Sequence, residues 1–259
     1  MDDRISELPD DILCDMLTTL SMKDLLKSSI LSKRWSKLWG SRRDLYFDVF
    51  NVFGSSEKEL QKTGYLIDVT SRFSVDRCID LYKTKDEFVK RVDQFVKNFP
   101  GTVINSFLVS FYLNCEQSNT IDQWISFAIA KGVGMIDLLF LGEPYPAHPN
   151  PHPDPSKRYK FAFDLFSETT ASALKHLRLE CCIVCNPTNC DFIPFKNLTY
   201  LSLNEVKVDE MFIESLLSNC GLLEELCLVY CEFKLSIPKI VNSWLNTCSG
   251  LLTYFNFSV

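Results

Sequence analysis

Histidine is scarce, with three in 259 residues, and His148, His152 and His176 fall in no pattern for nucleophilic catalysis. Glycine is scarce too, at nine, and no phosphate-cradling loop is present; Gly132-Val133-Gly134 is too short for one. There is no basic excess: 27 Lys and Arg stand against 33 Asp and Glu, a net charge of −6. That argues against a nucleic-acid-coating role, which needs clustered Lys and Arg to neutralise phosphate. There is no long apolar run either. The longest uncharged stretch, Asn98 to Cys115, is broken by Pro100, Gly101, Asn105, Ser106 and Asn114, so no membrane span is expected. The opening MDDRISELPDD carries five acidic residues where a secretory segment would be basic and then apolar. The eleven cysteines are therefore expected as thiols in a reducing compartment, nucleus or cytoplasm. No catalytic residue, cofactor or enzymatic activity is expected.

Periodicity is plain in the first forty-odd residues. Leu8, Ile12, Leu13, Met16, Leu17 and Leu20 recur at spacings of three and four, which predicts an amphipathic helix with Pro9 in its first turn. Ser21 with Asp24 predicts the capped start of a second helix, carrying Leu25, Leu26 and Ile30. Ser32 opens a third, with Trp35, Leu38 and Trp39 on one face. Residues 1–24 carry a net charge of −5 and residues 25–43 one of +6, so the two halves of this small unit attract.

The string ISELPDDILCDMLTTLSMKDLLKSSILSKRWSKLW resembles the F-box motif, in the form common in plant F-box proteins with leucine-rich repeats. Leu8-Pro9, the acidic pair after it and the LSKRW…LW segment carry the likeness, which covers about residues 4–44 and extends through DLYFD to Asp48. Where relatives often have Pro-Thr before the second helix's Lys-Asp, this chain has Ser21-Met22. The resemblance implies docking to a Skp-type adaptor, and through it to a cullin scaffold of an SCF ubiquitin ligase. It places the contact on Leu8, Pro9, Ile12, Leu13, Leu31, Lys33 and Trp35. The alternative for Trp35, and the reading for Leu17, Leu25, Leu38 and Trp39, is the unit's own core. A unit of this size is marginal alone, and docking would cover what its core leaves exposed.

Residues 51–71 have no clear period and read as loop; Thr84 and Glu87 read as the capping box of a helix with Phe88, Val92, Phe95 and Val96 on one face. Beyond it the chain repeats itself. Leu174, Leu177 and Leu179 are followed by Cys182 and Val184; Leu198, Leu201 and Leu203 by Val206 and Val208; Leu223, Leu226 and Leu228 by Cys231 and Phe233. Leu252, Phe255 and Phe257 begin a fourth copy, and Ile104-Phe107-Val109 and Val133-Ile136-Leu138 are degenerate earlier ones. Steps of 24, 25 and 29 residues identify a leucine-rich-repeat pattern: a strand, then a returning segment, in each unit. Helical return stripes are Ile121, Trp124, Ile125, Ala128 and Ile129, stopped by Gly132; Phe212, Leu216 and Leu217; and Ile240, Val241, Trp244, Leu245 and Cys248. Residues 143–157, with six of the eleven prolines, read as an extended insertion.

The expected fold is α+β: a three-helix F-box (1–48), a linker (49–83) and a short, irregular leucine-rich-repeat α/β solenoid with a capping helix (84–259). Between the buried leucines, His176, Arg178, Glu180, Tyr200, Ser202, Asn204 and Glu225 face outward on the strands, followed by Cys227, Val229, Tyr254 and Asn256. This mixed polar and aromatic ladder suits a protein target or an ordinary solvated sheet face. Cys182 and Cys185 have the spacing of half a zinc site, but no second pair follows, and Cys182 and Cys231 sit where the repeat buries Asn or Cys. Buried thiols and no metal are expected.

The expected role is the target-recognising subunit of an SCF-type ubiquitin ligase, without bond chemistry, nucleic acid or membrane. Many relatives carry an FBD domain after more repeats, and Val259 falls within a repeat strand. One alternative is therefore a truncated product that binds the adaptor without recruiting a target; another is a repeat scaffold independent of ubiquitin.

Overall fold

The computed structural model describes residues 7–28, 33–54, 75–140, 155–185, 192–208, 210–231 and 251–255. Three short helices open it: α1 (Asp10–Thr18), α2 (Met22–Ser28) and α3 (Lys33–Leu38). Pro9 is the N-cap of α1, one position earlier than expected. The Ser21 hydroxyl accepts from the Asp24 backbone N–H at 3.1 Å and donates to its carboxylate at 2.8 Å, so the predicted cap of α2 forms. Leu13, Leu17, Leu25, Trp35 and Trp39 are buried beneath these helices. The opposed charges meet where Arg34 donates to Asp10 at 2.6 Å and to the Leu8 carbonyl, fixing α3 on the start of α1. Arg42 likewise donates to the Leu20 carbonyl at 3.1 Å.

A seven-stranded parallel sheet follows. Its order is β1 (Asp44–Phe47), β2 (Ser106–Phe111), β3 (Met135–Phe140), β5 (His176–Glu180), β7 (Tyr200–Asn204), β8 (Glu225–Val229) and β9 (Leu251–Phe255). Register stacks two apolar rows. One runs Leu45, Phe107, Ile136, Leu177, Leu201, Leu226; the other Phe47, Val109, Leu138, Leu179, Leu203, Leu228. All twelve are 0 or 1 % exposed. Each leucine so buried contributes about 1.5–3 kcal/mol. At the strand starts one carbonyl serves two successive N–H groups of the next unit: Gly134 O accepts from Lys175 and His176, Lys175 O from Thr199 and Tyr200, and Thr199 O from Glu224 and Glu225.

The return segments include α6 (Ser118–Ala130), with the five predicted stripe residues buried and Gly132 in the left-handed region at φ 74°. They also include α7 (Glu168–Ala171) and α8 (Glu210–Asn219), the latter burying Phe212, Leu216 and Leu217. A second sheet, not anticipated, pairs β4 (Tyr159–Ala162) with β6 (Cys182–Cys185) in parallel. It seats Tyr159 and Phe161 in the core.

Three expectations need correction. The DLYFD segment, assigned to the end of the helical module, supplies β1, the first strand of the sheet. Helix α5 (Val75–Asn98) starts nine residues before Thr84, so Thr84 is interior and buried rather than a cap. In the fourth copy Leu252 is opposite Leu226 and Tyr254 opposite Leu228, three residues from the expected alignment. Register-matched Leu177, Leu201, Leu226 and Leu252 are thus 24, 25 and 26 residues apart. Residues 251–257, Leu-Leu-Thr-Tyr-Phe-Asn-Phe, carry apolar side chains at both odd and even positions, so the pattern fits registers of either face and only ladder pairing selects between them. The return helix predicted within 238–248, the proline insertion up to residue 154, and most of the 51–71 loop lie outside the described residues.

Module and array share one core. Helix α4 (Val49–Phe53) follows β1, capped by Asp48. The Trp39 ring meets Phe95 and Phe99 edge-on at 5.1 and 5.6 Å, Phe47 meets Phe95 at 5.5 Å, and Phe88 stacks on Phe111 at 4.0 Å. At this junction two glycines nearly touch: a Cβ on Gly101 would lie 2.5 Å from the Gly40 carbonyl and 2.4 Å from the Phe99 ring. Gly101→Ala is therefore expected to destabilise the chain by about 1–3 kcal/mol through overpacking. Urea unfolding should show a lower midpoint at unchanged slope.

Candidate functional site

Two surfaces collect the residues singled out from the sequence. On α1, the 3.6-residue period splits the apolar positions between two sides. Leu13 and Leu17 turn inward, while Ile12 and Met16 are 46 % and 40 % exposed, in line with exposed Pro9 and half-buried Leu8. Leu13, expected at the adaptor contact, and Trp35, for which contact and core were both open, are buried in the module's own core, so they support that face from beneath. Lys33 begins α3, with its side chain outside what is described, and Leu31 lies outside the described residues. Met16 completes the exposed strip; its position four residues after Ile12 was the signal that could have found it.

The second surface is the outward face of the sheet. Its residues alternate with the buried rows in β5 and β8, half-exposed against buried. Register sets Met135, His176, Tyr200 and Glu225 in one row, Asp137, Arg178, Ser202 and Cys227 in the next, and Leu139, Glu180, Asn204 and Val229 in the third. The His176 ring stacks flat on Tyr200, centroids 4.1 Å apart and planes 1° apart, and its Nε2 lies 2.9 Å from Asp137 Oδ1. Asp137 was missed, although its place between Ile136 and Leu138 marks it as outward-facing. Arg178 reaches along its own strand to Glu180 at 3.9 Å. Burial pushes the Glu180 carboxyl above its usual range, while Arg178 and a hydrogen bond from Asn204 pull it back. Ser202 is buried between longer neighbours, so it shapes this face more than it presents itself. Tyr254 takes the register position of an inward row, and Asn256 lies outside the described residues.

Each of three successive strands ends in the same turn. Cys181, Glu205 and Tyr230 take φ of 52°, 52° and 49°, and the next residues, Cys182, Val206 and Cys231, drop into the core. The Cys182 thiol donates to the Glu180 carbonyl at 3.2 Å and the Cys231 thiol to the Leu203 carbonyl at 3.3 Å. Among the described residues no group of three or more His, Cys, Asp or Glu is placed to hold a metal ion; His148, His152 and Cys190 are not among those residues. No helix among them is long and apolar enough to cross a membrane.

Burial raises these thiols, Cys231 to about 11, Cys181 to about 12 and Cys182 further still. A raised thiol stays neutral below its shifted value, so at pH 8 Cys231 would be roughly one part in a thousand thiolate. Maleimide labelling of the folded chain near pH 8 should therefore modify exposed Cys115 before Cys181, Cys182 and Cys231, which should be spared until denaturant is added. Peptide mass mapping reads the order.

The family profile described as "At1g61320/AtMIF1, LRR domain" matches residues 96–251, and the F-box domain profile matches residues 5–46. The chain is similar to the F-box/FBD/LRR-repeat protein At1g13570 of Arabidopsis thaliana, 27% identical over 253 residues that cover 94% of this chain and 49% of that protein. It is also similar to the F-box/FBD/LRR-repeat protein At1g78750 of the same plant, 28% identical over 232 residues, or 86% and 41% of the two chains. The putative F-box protein At1g67390, again from Arabidopsis thaliana, matches 52 residues at 49% identity, covering 20% of this chain and 11% of its own length. The chain spans about half the length of the longer-matching relatives. No solved structure matches. With its helical opening matched as an F-box and more than half of its length matched as leucine-rich repeats, the chain belongs to the plant family of F-box proteins with leucine-rich repeats.

Proposed function

We propose that this chain is a target-recognition adaptor of an SCF-type ubiquitin ligase. The α1 face docks on a Skp-type adaptor, which links it to a cullin scaffold, and the outward sheet face receives a protein target. The protein makes and breaks no bonds itself. It raises the effective concentration of its target beside a ubiquitin-conjugating enzyme held elsewhere on the scaffold. The reading includes no nucleic-acid or membrane partner and places the chain in the nucleus or cytoplasm, where its thiols stay reduced.

The observation that carries the docking half is the exposed strip of Pro9, Ile12 and Met16 over a filled module core. Apolar side chains lined up on one helix face gain by being covered, and they are not needed to complete the core below. Arg34 holds the strip's upper end in place through the Leu8 carbonyl.

Pull-down with a purified Skp-type adaptor tests it. Wild type should be retained, and a variant carrying both Ile12→Asp and Met16→Asp should lose retention by tenfold or more. Its unfolding midpoint should barely move, since exposed substitutions shift stability by about 0.5 kcal/mol or less. A wild-type chain that ignores the adaptor sinks the ligase reading.

A further inference from the structure

We infer that the middle of the outward sheet face, at the slot between Tyr200 and Glu225, docks a basic side chain, Arg or Lys, presented by the partner protein. This rests on the reading that the sheet face receives the target, and it names the chemistry of the recognised segment. The argument starts from the row itself. Asp137 holds His176 by a 2.9 Å contact, His176 lies flat on one face of Tyr200, and Glu225 sits beside Tyr200 on the next strand. A ring stacked flat against the strand on one side turns its other face toward the strand on the opposite side, which here is β8. The second face of Tyr200 therefore looks toward the Glu225 position. Both residues are half-exposed.

An aromatic face beside a carboxylate attracts a cation twice over, through the ring quadrupole and through charge. Among the described residues no Lys or Arg is placed over Tyr200, and none forms an ion pair with Glu225. The charge of the surrounding face has the complementary sign. Within the seven-stranded sheet, the outward positions of β1, β2, β3, β5, β7 and β8 hold Asp44, Asp137, Glu180 and Glu225 against one basic side chain, Arg178, apart from His176. Arg178 is turned along its strand to Glu180, away from this row. An anionic segment would meet the Glu225 carboxylate, which has no ion pair among the described residues, whereas a basic one neutralises it.

The test uses the full chain and blocked peptides that differ only in a central Arg, Lys, citrulline or Glu, immobilised on a biosensor. Wild type should retain the Arg and Lys peptides about three- to tenfold more tightly than the citrulline peptide, with the difference shrinking as salt rises. Glu225→Gln should bring the ratio to about one, Glu225→Lys should shift preference to the Glu peptide, and Tyr200→Phe should keep the wild-type order. Glu225 is a half-exposed surface position, so its variants fold even if Tyr200→Ala does not. Equal retention of Arg and citrulline peptides, preference of wild type for the Glu peptide, a preference unmoved by Glu225→Lys, or no retention of any peptide each overturns the inference. Retention of neutral peptides that is lost in Tyr200→Ala would reject the basic partner while leaving the target face standing. Retention indifferent to Tyr200→Ala, Arg178→Ala and Glu225→Lys alike would reject the target face as well.

Discussion

The structure depends on stacking apolar rows across parallel strands. A single unit exposes its two inward side chains, and only a neighbour on each side removes them from water. Phe107 and Val109 are covered on one side by Leu45 and Phe47 and on the other by Ile136 and Leu138. The same pairing brings each strand's start to the preceding unit's carbonyl, so burial and hydrogen bonding enforce one register. A slip of one residue would turn every leucine outward and every charge inward. The whole sheet is therefore specified together or not at all.

That constraint also settles the relation between the helical module and the repeats. The module's last strand is the sheet's first, and Trp39, Phe47, Phe95 and Phe99 share one aromatic cluster. The module does not hang on a flexible tether at this junction. The exposed α1 strip and the outward sheet face belong to a single packed body, so under the proposed function a target on the sheet would be carried at a set distance and angle from an adaptor on α1. For an adaptor that works by proximity, such fixed geometry has functional weight.

Parallel sheets usually have both faces covered. Here one face is covered by the return segments and the other carries side chains of mixed polarity, with His176 stacked on Tyr200 and bound to Asp137. These contacts tie neighbouring strands together on the surface, as the leucines do beneath. They also hold aromatic and acidic groups in fixed positions, which under the proposed function would lower the ordering cost of binding.

The sequence by itself determined the periodic features. Leucine spacing located strands β5, β7 and β8 and their buried faces, the α6 stripe and its Gly132 stop were legible, and Ser21 announced the cap of α2. The outward residues of β5 and β8 followed from the alternation of strand side chains, whereas Tyr254, read as outward, takes an inward register position. What only tertiary structure decided were the features that depend on a neighbour distant in the chain. Leu45 and Phe47 read as the module's tail until β2 was beside them, and Thr84 read as a cap until α5 ran through it. Met16 and Leu13, both apolar on one helix, were separated only by which side the core occupied. The fourth repeat's offset and the Asp137–His176–Tyr200 contact likewise required strands to be paired. Local periodicity records which residues avoid water, whereas the partner that shields each of them is set by the packing of the whole chain.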